Sequence, residues 1–200
     1  KFSDVLIHAS AHIDKHVEIG AGTKIWHFVH VMPNSKIGRN CILGQNVMIG
    51  PNVSVGDGCK IQNNVSIYEG VTLENNVFCG PSAVFTNIST PRANVNRKEK
   101  FEKTLVKQGA SIGANATIVC GNTLGNFCMI GAGSVVTKNV PNFALMVGSP
   151  ARRVGWVSRN GEKLDQDLKC KTTGEQYLVH IVQAHFLNST VIILKRFYSK

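Results

Sequence analysis

The chain has 200 residues, 22 Lys and Arg against 12 Asp and Glu, a formal charge of +10 and six cysteines. Its length suits one domain of about 150 residues with an appendage, and no hydrophobic run reaches the roughly 20 residues needed to span a bilayer. The charge points to anionic partners, but aromatic residues are sparse, they are not interleaved with basic ones, and no nucleic-acid-binding motif is present, so small phosphorylated ligands fit better than nucleic acid.

Residues 1–10 contain no continuous apolar run and hence no signal-peptide pattern, which predicts a cytoplasmic protein. From Ile7 an aliphatic residue, or once a cysteine, stands at every sixth position through Ile13, Ile19, Ile25, Val31, Ile37, Leu43, Ile49, Val55, Ile61, Ile67, Leu73 and Cys79, ending at Phe85. A short fixed period is the mark of a solenoid. Two positions earlier a small or β-branched residue recurs (Val17, Thr23, Val29, Ser35, Cys41), giving the in-out-in pattern of a short strand buried on one face. Three positions after the apolar residue come Asn34, Asn40, Asn46, Asn52, Gly58, Asn64, Gly70 and Asn76, the types that best tolerate positive φ. A strand and a corner in every hexad predict an all-β chain, a parallel β-helix in which three hexads close one triangular coil. Cys41, Cys59 and Cys79 fall on inward positions, which predicts reduced core thiols rather than a disulfide framework.

The period breaks after Phe85 and resumes at Val106, Ile112, Ile118, Leu124, Ile130 and Val136, with Asn115, Gly121, Gly133 and Asn139 at the corners. The inserted loop, residues 87–105 (NISTPRANVNRKEKFEKTL), is polar and basic. A long excursion from a compact repeat is either a solvated surface loop or a functional one. We place the repeat helix with its insertion in residues 1–147 and a C-terminal extension in 148–200. In that extension Cys170, with T-T-G-E-Q-Y at 172–177, lacks the further cysteines of a zinc site, so no metal is expected. Residues 177–200 join an apolar run (Val191 to Leu194) to a basic end, which fits an interface strand, a short helix or a tail.

The repeated I-G-x-N-V-x unit, the central loop, the closing I-G-A-G-S-V-V-T-K-N-V-P (130–141) and V-G-S-P-A-R-R-V-G-W (147–156) resemble the hexapeptide-repeat acyltransferases. The resemblance implies a left-handed β-helix, a homotrimer, and acetyl-CoA bound between subunits. Within that superfamily K-I-W-H-F-V-H (24–30), K-I-Q-N-N-V-S-I-Y (60–68), F-C-G-P-S-A-V-F-T-N (78–87) and residues 150–164 are similar to N-acetyltransferases of 3-amino nucleotide sugars. The preferred substrate is UDP-2-acetamido-3-amino-2,3-dideoxy-D-glucuronate of O-antigen and lipopolysaccharide synthesis, with a dTDP-3-amino-3,6-dideoxyhexose as the competitor.

Acetyl transfer from a thioester to an amine needs an unprotonated amine, a means of holding it, and donors for the developing oxyanion, but no nucleophilic side chain. The resemblance implies that Asn87 orients the amine; by itself Asn87 also reads as a turn initiator. His27 and His30, outward on their repeat, are alternative bases or plain surface residues. Arg92, Arg97 and Lys98 are expected to meet the diphosphate or a sugar carboxylate, and Gln62, Asn63 and Tyr68 the nucleotide. Gly131, Ala132 and Gly133 would admit a pantetheine arm, with Lys138, Arg152 and Arg153 on the CoA phosphates and Pro150 shaping the groove. Three other readings compete with this one. A γ-type carbonic anhydrase would need an H-x-x-x-x-H pair, which the repeats lack. A uridylyltransferase would need a nucleotide-binding domain ahead of the helix. The third is a non-enzymatic scaffold. Outward Trp26 and Phe28 would leave apolar patches that cyclic closure buries.

Overall fold

A computed structural model describes residues 4–183 and 190–197, except for the side chains of residue 98 and of residues beyond 178. The chain is a left-handed parallel β-helix. Its short strands stack in register three hexads apart, Leu6 on Lys24 and Lys24 on Ile42, so three hexads make one coil. The coils generate three parallel faces. Face I begins with Leu6–Ile7, face II with His12–Ile13 and face III with Glu18–Ile19. We number the coils one to eight by their face I strands: Leu6–Ile7, Lys24–Ile25, Ile42–Leu43, Lys60–Ile61, Phe78–Cys79, Ser111–Ile112, Met129–Ile130 and Ala144–Val147.

The strands are very short because a corner must follow within each hexad. Every corner asparagine and glycine expected from Asn34 to Asn76 adopts positive φ. At the residue before several of these corners, a carboxylate or amide oxygen accepts the amide of the adjoining coil: Asp57 from Arg39 at 2.7 Å, Asn63 from Gln45 at 2.9 Å, Asn75 from Asp57 at 2.8 Å. The run of Asx residues therefore serves both the turn and the coil-to-coil ladder. Asn139 departs from the expectation. It is absent from the positive-φ set, and its Oδ1 instead accepts the Thr123 amide at 2.8 Å. Bulky residues also occupy left-handed corners, notably Phe28, Phe127 and Phe143.

The inward column forms the core. Ile25, Leu43, Ile61, Ile112 and Leu124 are wholly enclosed, and truncating one such residue to alanine is expected to cost about 3 kcal/mol. The six cysteines are free and buried, as core thiols should be. Small inward hydroxyls are satisfied on backbone carbonyls, Thr23 on Gly38 and Ser35 on Gly50. Thr104 is the exception, its buried Oγ1 having no partner.

The insertion leaves coil five at the corner between faces II and III. Phe78 pairs with Ser111, well past the three-hexad spacing of the earlier coils, so the insertion lengthens this coil without disturbing the register above it. After coil eight the strand Arg152–Trp156 turns back antiparallel to Ala144–Val147. The chain then covers the end of the column. Phe127 stacks on Phe143 with centroids 5.2 Å apart, Tyr177 meets Phe143 edge-on at 5.9 Å, and the Arg159 guanidinium lies over Phe127. The strands Gln176–Gln183 and Thr190–Phe197 form a separate antiparallel pair, so a strand is what most of residues 177–200 adopts; 184–189 and 198–200 lie outside the described residues. Among the described residues no helix is long and apolar enough to cross a membrane.

Candidate active site

The three-hexad coil decides which candidates are neighbours. Successive coils lie about 4.8 Å apart, so a residue's height follows from its coil. Asn87 and Tyr68 share the corner between faces II and III, on coils five and four. Above Asn87 on the same corner come Cys120 on coil six and Lys138 on coil seven, positions fixed by the pairings of Phe85 with Ile118 and Ile118 with Val136. Asn87 and Lys138 are thus about 10 Å apart along one edge.

Several bonds hold this edge in place. The Asn87 carbonyl accepts the Glu102 amide at 2.9 Å, closing the root of the loop. Thr86 Oγ1 accepts the Cys120 amide at 3.0 Å, and a Glu102 oxygen accepts the Ser89 amide at 3.2 Å. The other Glu102 oxygen packs against Gly121, where an added Cβ would stand 2.7 Å from it. Glu102 and Thr86 escaped the sequence reading because their partners are distant along the chain and only the insertion's length brings them together. The Asn87 side-chain amide takes no hydrogen bond from the described residues and remains available to a ligand.

The loop borders a hollow of about 750 Å³, open to solvent and lined by Ile88, Pro91, Val95 and, from the polar side, Arg92 and Arg97. Among the described residues Arg97 Nε is buried without a partner, while the Arg92 guanidinium bonds its neighbouring carbonyl, at 3.3 Å. Lys98 opens the short 3₁₀ turn Lys98–Lys100, and its side chain lies outside the described residues. An enclosed, unpaired guanidinium donor costs free energy unless an anion meets it.

At the opposite edge of face II, Gln62 and Asn63 lie on coil four and Gly131, Ala132 and Gly133 on coil seven. Asn63 Oδ1 is engaged with the Gln45 amide, so only its amide nitrogen remains for a ligand. Gly131 is glycine for packing reasons, since a Cβ there would meet Val147 at 2.8 Å. Gly133 has φ +67 with nothing within 4 Å of an added Cβ, so its surroundings are open. The Gly131 and Gly133 amides are committed to Met146 and Ala114. The exposed Ala132 amide is not, whereas its counterpart Gln45 donates to Asn63.

Pro150, after a cis peptide bond, turns the chain between the last two strands of face I. Beyond it Arg152 bonds the Ala151 carbonyl at 3.1 Å, and the Arg153 guanidinium rests 4.2 Å over Trp156. The stacking holds the Arg153 charge at the rim of the column.

The histidines sit elsewhere. His27 and His30 are on coil two, three coils and about 14 Å below Asn87, so one chain does not unite them with it at a single reacting atom. His27 stacks between His8, at 3.6 Å, and Trp26. His30 instead joins a cluster with His12 and Asp14. The chain's H-x-x-x-x-H spacing, His180 to His185, lies beyond the repeats, and both side chains are outside the described residues.

Comparison with known proteins agrees with this architecture. The profile of the bacterial transferase hexapeptide (six repeats) matches residues 16–51 and 42–75, and that of the hexapeptide repeat of succinyl-transferase matches residues 108–138. The chain is 52% identical over 163 residues to the dTDP-3-amino-3,6-dideoxy-alpha-D-galactopyranose 3-N-acetyltransferase of Aneurinibacillus thermoaerophilus, covering 80% of this chain and 84% of the relative. It is 30% identical over 149 residues to the bifunctional protein GlmU of Synechococcus sp. strain RCC307, covering 74% of this chain but 31% of that protein. Among solved structures, a hexapeptide-repeat acetyltransferase of Vibrio cholerae complexed with acetyl coenzyme A aligns with a TM-score of 0.54 at 25% identity, over 61% of this chain and 70% of that one. The chain belongs to the hexapeptide-repeat transferase family.

Proposed function

We propose that the protein is an acetyl-CoA-dependent N-acetyltransferase acting on the 3-amino group of a nucleotide-linked sugar, with a dTDP-3-amino-3,6-dideoxyhexose as acceptor. The observation that carries the acceptor class is the loop hollow, lined by Arg92 and Arg97 and beginning one residue beyond Asn87. A sugar diphosphate supplies an anion for these guanidinium groups. The extent and identity of the match to the dTDP-sugar relative favour a 3,6-dideoxy sugar over the UDP-glucuronate substrate that the segment resemblances put first.

The reaction needs little of the side chains. Asn87 Oδ1 accepts an N–H of the neutral amine and aims its lone pair at the thioester carbonyl carbon. The new C–N bond forms as the C–S bond breaks, and the departing thiolate takes up the proton the nitrogen sheds. Acetyl-CoA lies between subunits, with its pantetheine arm against the Ala132 amide and the open corner at Gly133, and Lys138, Arg152 and Arg153 are offered to its phosphates from different faces of the column. Positioning supplies most of the rate, and His27 and His30, on coil two, would act as bases only from a neighbouring subunit.

A homotrimer with sites between subunits completes the reading. Exposed apolar residues gather on face I, face II and their shared corner: Leu6, Trp26, Phe28, Phe78 and Val84. A second and third copy would cover them by cyclic closure.

The test offers acetyl-CoA with a panel of dTDP- and UDP-linked 3-amino sugars and follows free thiol and product mass. Acetylation of the dTDP-sugar is expected. Selective acetylation of the UDP-glucuronate sugar would keep the chemistry and replace the acceptor, and absence of thiol release with every amine would overturn the proposal.

A further inference from the structure

The stacking of coils brings three ligand-type side chains together outside the candidate active site. His12 and His30 pair directly on face II of coils one and two, and Asp14, two positions beyond His12, lies on the same outward side. Its carboxylate meets both rings, with Oδ1 2.9 Å from His12 Nε2 and Oδ2 3.1 Å from His30 Nε2. The imidazoles stand edge to face with centroids 5.1 Å apart, and the three ligand atoms lie within 4.8 Å of one another. No ligand spacing along the chain marks this group. Here the spacing runs between coils.

We propose that His12, Asp14 and His30 bind a divalent transition-metal cation. Ligand atoms at bond lengths near 2.0–2.1 Å around a tetrahedral ion are separated by about 3.3 Å, so small side-chain rotations convert the observed triad into a coordination shell. Two imidazole nitrogens and one carboxylate favour zinc, nickel or copper over magnesium or calcium, which prefer all-oxygen sites. A fourth position is left to water or another external ligand.

The site's place in the fold gives the ion a structural role. Ile7, Ile13 and Ile19 of coil one are only partly buried, whereas Ile25 and Val31 of coil two are wholly enclosed. Among the described residues coil one is therefore less secured by packing than coil two. An ion held by His12 and Asp14 from coil one and His30 from coil two ties that coil to the column, beside the surface pair of Glu18 with Lys36 at 3.0 Å.

The experiment titrates chelator-treated full-length protein with Co²⁺, followed by ligand-field absorption, and with Zn²⁺ or Mg²⁺, followed by thermal midpoint. One cobalt ion per chain, displaced by zinc, is expected, with a midpoint raised several degrees by zinc and unmoved by magnesium. The His12 side chain is 74% exposed, so His12→Ala should fold normally, and it is expected to weaken binding at least tenfold and abolish the zinc-dependent shift. His8→Ala should retain both. Absence of saturable binding by the wild type, or unchanged binding by both His12→Ala and Asp14→Asn, would overturn the proposal.

Discussion

The Asn87 carbonyl and the Glu102 amide meet at 2.9 Å, so the excursion between them, shorter than the expected 87–105 because Thr104–Val106 already forms a face III strand, leaves and re-enters a corner of coil five one hydrogen bond apart. The faces above and below continue their pairing across this gap, Val84 on Thr117 and Thr72 on Leu105. Replacing residues 88–101 with two glycines should leave a folded column whose thermal midpoint shifts by a few degrees. Acceptor acetylation should fall by at least about 100-fold while acetyl-CoA affinity stays within about threefold. Circular dichroism and calorimetric titration would check this, and loss of the β signal would show that the loop supports the fold.

Asn87→Ala should lower turnover by about 100-fold, the scale expected for a positioned polar group at a reacting centre. Its KM for acetyl-CoA should stay unchanged, because the contact is to the amine. Steady-state kinetics varying each substrate separate these effects; undiminished turnover would remove Asn87 from the mechanism.

Arg97→Ala should raise the KM for the nucleotide sugar by at least about tenfold through loss of a charge-assisted contact. Turnover at saturation should change much less. An effect confined to acetyl-CoA would place the cofactor, rather than the acceptor, in the loop hollow.

Thr104→Val should stabilise the protein by about 1 kcal/mol, because it removes a buried hydroxyl with no partner and leaves a residue of similar volume. Val71, which pairs directly with Thr104, already carries that side chain on the coil below. Urea denaturation measures the change, and a loss of stability would reveal a partner for Oγ1.

Burial pushes the thiols of Cys79 and Cys128 up to about 12, whereas an unfolded cysteine ionises near 8.5. Between those values the unfolded chain has lost protons that the native chain retains, so stability is complete below about pH 8.5 and falls as pH rises. The slope is about 1.4 kcal/mol per pH unit for each thiol. Denaturation midpoints between pH 7 and 10 should decline, less steeply in Cys79→Val; an identical decline in that variant would show that another group controls it.

The column was legible in the sequence because its physics is local. Each hexad must present an apolar residue inward and a positive-φ residue at the corner, and Ile61 or Asn64 shows this without knowledge of any neighbour. The aromatic corners were not legible: Phe127 and Phe143 adopt a conformation asparagine favours while stacking on each other, and Phe143 meets Tyr177 edge-on, a contact remote in sequence. At the candidate site the sequence marked the loop and its arginines by composition. It did not indicate that Glu102 braces the loop root, nor that Asn63 is partly committed to Gln45. The cluster of His12, Asp14 and His30 was within reach, since the hexad count already implied that positions three hexads apart are stacked.

The chain beyond coil eight has a consequence for the molecule in bulk. Trp156, Leu164, Cys170 and Tyr177 belong to the same buried core as the coils, and Arg152–Trp156 finishes face I with a reversed strand. A stack of parallel rungs otherwise ends in unpaired backbone donors and acceptors that can template another chain, as in fibrils. Unlimited filament growth needs both ends open. By sealing one end with its own C-terminal segment, the molecule removes one of the two open ends that such growth requires.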